Sequence, residues 1–463
     1  MLDALRWLSQ RTWKEITMSA ADREQRLDVI EICAGAGGQS FGLHKAGFTH
    51  LLAVELDKHA AHTLDQNLRR VLKEDGVDVP DELVRVGDVA DPSVWDPDSY
   101  KGRDIALLAG GVPCPPFSIA GKQLGSSDER DLFAWAIELC GRIRPKALLL
   151  ENVRGLSANR FSGYRQAVLD KLHEFGYIAS WKLLHASDFG VPQLRPRFVL
   201  VALLPEYAKY FDWPQGNPDD APSVGETLRD LMGANGWEDE EVKAWADKAN
   251  DIAPTIVGGS KKHGGADLGP TRAKKAWAEL GVDAMGVANE APKPGFKPVN
   301  GATGPKLTTQ MVARIQGWHG EFTHWEFLGL KTSVYRQIGN AFPPPVAKAL
   351  GESIKNALLK TGKPHTLVET SNTVHDPVYK LLRQQSRPLT VEQIIIRLAK
   401  NGVPMDQPEV ERRLNHLGHD FELEKTERKS GELAYSLGEF KAFVGQDDHQ
   451  RHDLFTQHRA KIS

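Results

Sequence analysis

The stretch LLAGGVPCPPFSIAGKQ, Leu107–Gln123, begins as an apolar run of strand type and breaks at prolines that bracket one cysteine, Cys114. Pro113, Pro115 and Pro116 fix three φ angles and remove three N–H donors, so the loop is stiff and presents the thiol rather than burying it. A reactive side chain just past an apolar run recurs along the chain. LDVIEIC (27–33), HLLAVEL (50–56), ELVRVGD (82–88), DIALLAG (104–110) and KALLLEN (146–152) read as strands. QSFGLHKAGF, HAAHTLDQNLRRVLKE and DLFAWAIELCGRI read as the helices between them. Short buried strands alternating with helical crossovers predict a doubly wound, parallel α/β sheet. ASWKLLHA (179–186) and RFVLVALL (197–204) add a later strand pair. Open parallel sheets bind ligands beyond the carboxyl ends of their strands. Glu55 with Asp57, then Asp88, Cys114 and Glu151, follow four different runs, so one edge of the sheet is the expected site.

Bulk composition sets the limits. At 463 residues the chain is long enough for two or three domains. A net charge of −3 gives no global field for nucleic acid, so any such binding needs a local basic surface. Three cysteines, Cys33, Cys114 and Cys140, are too few for a disulfide framework, and none has zinc-site spacing; no metal is expected. The chain reads as reduced and cytoplasmic, with no membrane-length apolar run and no signal-peptide pattern at its start.

Residues 1–27 read as an amphipathic helical extension. Residues 205–305 are rich in Gly, Pro, Asp and Lys, with little periodicity, and read as loop-rich and poor in core: either an insertion that carries specificity or an irregular surface. PPPVAKALGESIKNALL (343–359) should be a helix with Pro in its first turn. Residues 361–375 read as a linker. In 376–463, TVEQIIIRLAKNGV and DQPEVERRLNHLG each place apolar residues on one helical face, and FELEKTERKSGELAYSL reads as a β-hairpin. Helix, helix and hairpin outline a winged helix. Its role is open between an interaction or dimerisation module and a DNA reader, because Glu409 and Glu411 accompany Arg412 and Arg413.

ICAGAGGQSFG leaves the first strand with Gly35, Gly37 and Gly38, which permit close backbone approach to a ligand. Glu55 ends the second strand where a carboxylate can hold both hydroxyls of a ribose. Together they suit an adenosine-containing cofactor, without separating nicotinamide from S-adenosylmethionine. A thiol of ordinary pKa near 8.5 needs local positive potential to act as a nucleophile. Arg195 and Arg197 in PQLRPRF can supply it if that segment folds back over the site; otherwise they are surface charge beside a strand. Glu151, directly after three leucines, is expected to be desolvated and so to hold a proton near neutrality. A cysteine nucleophile beside a protonated carboxyl suits attack on an electron-poor ring.

With these motifs in order from about Asp28 to Ile354, the chain resembles the DNA (cytosine-5) methyltransferases of bacterial restriction systems. ICAGAGGQSFGL is similar to their cofactor turn, VELDKHAAHTLDQN to their ribose-binding segment and VGDVAD to their adenine-contacting turn. GGVPCPPFSIAGKQ resembles their Pro-Cys loop, LLLENVRGL their Glu-Asn-Val motif and DFGVPQLRPRF their Gln-x-Arg-x-Arg motif. LTTQMVARIQGW and VYRQIGNAFPPPVAKALG resemble the last two motifs. Two departures stand out: Glu31 where the family usually has Asp, and Cys33 where it usually has Phe, which removes an aromatic from beside the cofactor.

The resemblance implies an S-adenosylmethionine-dependent, Rossmann-like catalytic domain over 28–204, completed by 321–360, and a target-recognition domain over 205–320. It implies Cys114, Glu151, Arg195 and Arg197 as catalytic residues. It implies Cys33, Ala34, Gly35, Gly37, Gly38, Glu55, Leu56, Asp88, Val89, Pro113 and Asn340 as the cofactor site. Ser118 and Gln123 in the glycine- and serine-rich 118–131 segment, a candidate lid or a plain loop, and Lys261, Lys262, Arg272, Lys274 and Lys275 are the candidate DNA contacts. The expected substrate is double-stranded DNA, the expected functional partner a cognate restriction endonuclease, and the expected form a monomer. The same chemistry on transfer RNA, or a regulator that binds an operator through the tail, are the rival readings.

Overall fold

The first strand forms because LDVIEI is β-branched and apolar at nearly every position, as a strand covered on both faces requires. In the computed structural model, which describes residues 26–113, 132–258, 266–298, 301–366 and 376–441, this is β1 (Leu27–Ile32). The sheet continues with β2 (Phe48–Glu55), β3 (Val84–Val86), β4 (Leu107–Gly110), β5 (Ala147–Val153), β6 (Ile178–His185) and β7 (Pro196–Leu203), in the order β3-β2-β1-β4-β5-β7-β6. The strand order reverses between β1 and β4, and that reversal opens a crevice at their carboxyl ends.

The sheet is not wholly parallel. β7 runs antiparallel to both β5 and β6. Only ten residues separate β6 from β7, too few for a helical crossover, so the chain returns antiparallel.

Helices cover both faces. α1 (Gly38–Lys45) and α10 (Pro344–Leu358) pack on Val29, Leu107, Leu149 and Val199. α3 (Leu132–Ile143) and α4 (Ser162–Glu174) cover Ile30, Leu108, Leu148 and Leu200 on the other face. α2 (Lys58–Glu74) starts at Asp57, whose carboxylate accepts from the N–H groups of His59 and Ala60. Asp57 is therefore a helix cap. Pro344 opens α10 as expected.

The segment after Pro205 has more core than its composition indicates. It contains α5 (Val224–Gly233), α6 (Asp239–Lys248) and α7 (Thr271–Glu279), and Trp237, Trp245 and Trp277 are buried. α5 buries a short stripe of Val224, Leu228 and Met232, whereas α6 and α7 are held mainly by single large anchors, such as the Trp245 indole donating to the Gly281 carbonyl at 2.9 Å, so a core exists although the periodicity is short and broken. α8 (Thr309–Ile315) and α9 (Lys331–Asn340) return the chain to the sheet.

The tail forms α11 (Pro377–Arg383), β8 (Leu389–Thr390), α12 (Val391–Lys400), α13 (Gln407–Asp420), β9 (Phe421–Glu427) and β10 (Leu433–Phe440). The two helices and the hairpin match the sequence pattern; α11 and the short β8, which joins the hairpin as a third strand, were not visible in it. This unit packs on α4 and shares one continuous apolar core with the sheet.

Candidate active site

The carboxyl ends of β1 to β5 meet at one cleft of about 710 Å3. The β1 exit supplies Cys33, Ala34, Gly35 and Gly38; β2 supplies Glu55 and Leu56; β3 leads to Asp88 and Val89. β4 runs into Pro113, and β5 brings Glu151. Asn340 closes the opposite wall. Twelve of the expected site residues thus line one cavity, Glu151 and Arg197 among them, while Gly37 lies just behind its wall.

The glycine turn is shaped from outside as well as by its own backbone. Gly37 has a φ of 97°, and a Cβ there would lie 2.2 Å from the Trp325 ring. The Trp325 indole also donates to the Ala36 carbonyl at 2.8 Å. A Cβ on Gly38 would lie 2.2 Å from the Phe342 carbonyl oxygen. Gly38 is thus required by the approach of the segment that leads into α10.

Glu55 accepts from the Gly35 N–H at 2.8 Å through Oε2 and from the Asp57 N–H at 2.7 Å through Oε1. Burial lifts this carboxyl above the ordinary range, and the two backbone donors oppose the rise. Each oxygen keeps a lone pair for a ligand hydroxyl. Cys33 has a left-handed φ of 50°. Burial, followed by the charges of Glu55 and Asp88, pushes its thiol far up, so it is a neutral wall of the cleft. Cys140, on α3, is fully buried and pushed up to about 12 by the same desolvation.

Glu151 is 9% exposed, and its Oε1 lies 2.5 Å from Nε of Arg197. The sequence led us to expect a desolvated acid; the structure buries it and also gives it an ion-pair partner across the β5–β7 pairing. A Cβ built on Gly111 would lie 3.5 Å from Glu151 Oε2, and the Asn152 amide donates to the Val112 carbonyl at 3.3 Å. The segment that leads to Cys114 therefore runs beside the carboxylate and is tied to its neighbour Asn152.

Arg195 is corrected. It was expected beside the thiol, but it does not line the cleft and is 1% exposed. It donates to the carbonyls of Ile256 (2.6 Å), Gly339 (2.6 Å) and Ala341 (2.9 Å). Its planar fork ties three chain segments together. Gln193 joins the same node, donating to Gln316 Oε1 at 2.8 Å and accepting from the Ile256 N–H at 2.8 Å. Lys274, expected as a free phosphate contact, is paired with Asp267 at 2.7 Å. Arg272 and Lys275 are exposed on α7. Cys114, Ser118, Gln123, Lys261 and Lys262 lie outside the described residues.

A family model described as C-5 cytosine-specific DNA methylase matches residues 27–356. The chain belongs to this family. The methylase is 59% identical over 440 residues to the Type II methyltransferase M.NaeI of Lentzea aerocolonigenes, covering 95% of this chain and all of that protein. It is 46% identical over 334 residues to the Type II methyltransferase M.NgoMIV of Neisseria gonorrhoeae, covering 72% of this chain and 98% of that one. The methylase also has site residues that sequence reasoning did not select. Gln39, Ser333 and Arg336 line the cleft, and Tyr335 donates to the carbonyls of Val257 (2.9 Å) and Asp267 (2.5 Å). Ser333, Arg336, Gln337 and Asn340 recur at helical spacing and share a face, a signal that was available in the sequence. No helix among the described residues is long and apolar enough to cross a membrane.

Proposed function

We propose that this DNA cytosine-5 methylase works through attack of Cys114 on C6 of a flipped-out cytosine in a short duplex sequence. In this reading it protects DNA against a cognate restriction endonuclease. The proximity of Gly111 to Glu151, whose Oε2 would lie 3.5 Å from a Cβ at that position, carries the proposal, because the root of the Cys114 loop then runs beside a carboxylate at the cleft. The restriction context is supported by the names of its relatives, both Type II methyltransferases.

The cleft fits S-adenosylmethionine. The lone pairs left on Glu55 suit ribose hydroxyls, Leu56 and Val89 suit the adenine faces, and Asp88 suits its edge. The N-terminus of α1 suits the methionine carboxylate, and Cys33, Pro113 and Asn340 complete the walls. When bound, the cofactor supplies the methyl group from an electrophilic sulfonium.

The remaining chemistry belongs to the chain. Ring carbon C5 of cytosine is a poor nucleophile until the Cys114 thiolate bonds to C6 and shifts the displaced electron pair onto C5 and N3. Glu151 meets N3, by hydrogen bonding or by giving it a proton, and Arg197 meets the base oxygen. Loss of the C5 proton and departure of sulfur from C6 then restore the aromatic ring. Attack on C6 runs perpendicular to the ring, so the base must leave the stack, at roughly a few kcal/mol. The 205–320 region, with Arg272 and Lys275 exposed, is proposed as the target-recognition domain, residues 361–375 as a linker and residues 376–463 as a winged-helix-like unit.

The test is a duplex in which every cytosine is 5-fluorocytosine. Fluorine cannot leave as a cation, so turnover stops at the C6 adduct. Mass spectrometry should find a covalent enzyme–DNA complex for the native chain and none for Cys114→Ala, which should still bind S-adenosylmethionine. Absence of the adduct from the native enzyme, or continued methylation by Cys114→Ala, would refute the mechanism.

A further inference from the structure

One wall of the cleft is α9, which presents Ser333, Arg336, Gln337 and Asn340. Gln337 is committed within the protein: its Oε1 accepts from the Thr63 hydroxyl at 2.7 Å, and its Nε2 donates to the Leu328 carbonyl at 2.9 Å. Arg336 differs. It forms no ion pair with any acid among the described residues, and its Nε is buried without a hydrogen-bond partner.

The cleft acids around it are already engaged. Glu55 holds two backbone N–H groups, Asp57 caps α2, and Glu151 faces Arg197. Arg336 therefore adds a half-buried positive charge that the protein does not neutralise, in a cleft proposed to hold a sulfonium. Such an arrangement is costly unless an anion arrives.

Two anions come with the substrates, a cofactor carboxylate and a DNA phosphodiester. The carboxylate has donors elsewhere. The first-turn N–H groups of α1 lack intrahelical acceptors, and the amide of Gln39 beside them is 3% exposed with both polar atoms unpartnered. Arg336 instead sits at the seam with the proposed recognition domain. A Cβ on Gly258 would lie 2.9 Å from the Arg336 carbonyl oxygen and 2.1 Å from Asn340 Oδ1. A duplex engaged by that domain passes the same seam.

We propose that Arg336 is a positioning residue that holds a backbone phosphate of the target strand next to the flipped cytosine. The inference rests on the duplex-DNA reading above. It assigns to Arg336 a sequence-independent contact, distinct from the base contacts of Glu151 and Arg197.

The experiment uses the full-length enzyme, its Arg336→Gln, Arg336→Met and Arg336→Lys variants, and two duplexes. One duplex carries a sequence that the native enzyme methylates; the other has the same composition without it. Arg336→Gln and Arg336→Met should weaken binding to both duplexes about tenfold and reduce the slope of log K against log salt by about 1. Arg336→Lys should keep the slope. Calorimetric binding of S-adenosylmethionine should change less than about twofold in every variant, which also reports an intact fold. An unchanged salt slope in a variant that still binds cofactor overturns the assignment. So does a loss of cofactor affinity with DNA binding intact, which would assign Arg336 to the carboxylate. A native enzyme that binds and methylates neither duplex refutes the duplex-DNA reading itself, independently of any variant.

Discussion

At the scale of single residues, the pair Glu151–Arg197 governs the site. Both side chains are about nine-tenths buried, so neither charge can turn to water if the other is removed. Losing one member of a buried pair costs roughly 3–5 kcal/mol, whereas losing both is far less damaging. Arg197→Met should therefore lower the thermal midpoint more than the double variant Glu151→Gln/Arg197→Met does. Methyl transfer should fall by at least about 100-fold in all three variants. Calorimetry of the four-member cycle checks the coupling, and additive losses would show that the two side chains do not act as a pair. The sequence disclosed that both residues belong to the site, through an apolar run ending in Glu151 and the Gln-x-Arg-x-Arg spacing. It could not disclose direction. Arg195 and Arg197 share residue type and neighbourhood, yet one enters the cleft and the other enters the backbone node at Ile256 and Gly339. Only the path of the 253–258 segment, distant in sequence, separates them. Arg336 was legible only in part: its helical spacing with Ser333, Gln337 and Asn340 marks a shared polar face, but not that this face turns into the cleft.

Among the elements, β1, β2, β4 and β5 were legible because strands buried on both faces must be almost wholly apolar. The helices of the 224–279 region were not, because the stripe of α5 is only Val224, Leu228 and Met232 long and α6 and α7 rest mainly on the single tryptophans Trp245 and Trp277. α1 shows how a buried polar residue within a legible element sets a property of the whole. His44 is closed against the protein, with only 7% of its side chain exposed, and lies 3.3 Å from Asp75. Asp75 is 59% exposed and therefore well screened, so desolvation outweighs the ion pair. Burial lowers the His44 pKa from 6.5 to about 4. Between those values the unfolded chain binds a proton that the folded chain refuses, so stability falls as pH drops from about 6.5 towards 4 and is unaffected by this group above that window. The loss reaches up to about 3 kcal/mol at the acid end. Urea titrations at pH 7.5 and pH 4.5 should show a smaller acid-induced decrease for His44→Gln than for the native chain. An equal decrease in both would assign the acid sensitivity to other groups.

For the whole molecule, the question is how the tail relates to the enzyme. The family model ends at residue 356, and M.NgoMIV matches over 98% of its own length while leaving more than a quarter of this chain unmatched. The family match therefore does not include a unit of this kind. The tail's chemistry also suits packing better than reading DNA. Between 376 and 441 there are eleven basic and eleven acidic residues. Arg412 and Arg413 on α13 are both engaged by Glu409, and Arg413 by Asp376 as well. What the tail does have is a core continuous with the sheet. Phe440 meets Tyr164 edge-on at 5.2 Å, the Tyr379 hydroxyl donates to Asp170 at 2.6 Å, and a Cβ on Gly163 would lie 2.6 Å from Leu417. A shared core should melt as one unit, since neither side can open without exposing the apolar face of the other. The full chain should thus unfold in one calorimetric transition. Leu417→Ala, which leaves a cavity at the junction with α4 and costs roughly 2–5 kcal/mol, should shift that entire transition downward. The rate of methyl transfer well below the midpoint should remain near the native value. A second transition, with only the lower one moved by Leu417→Ala, would show that the tail folds and melts as an independent attachment.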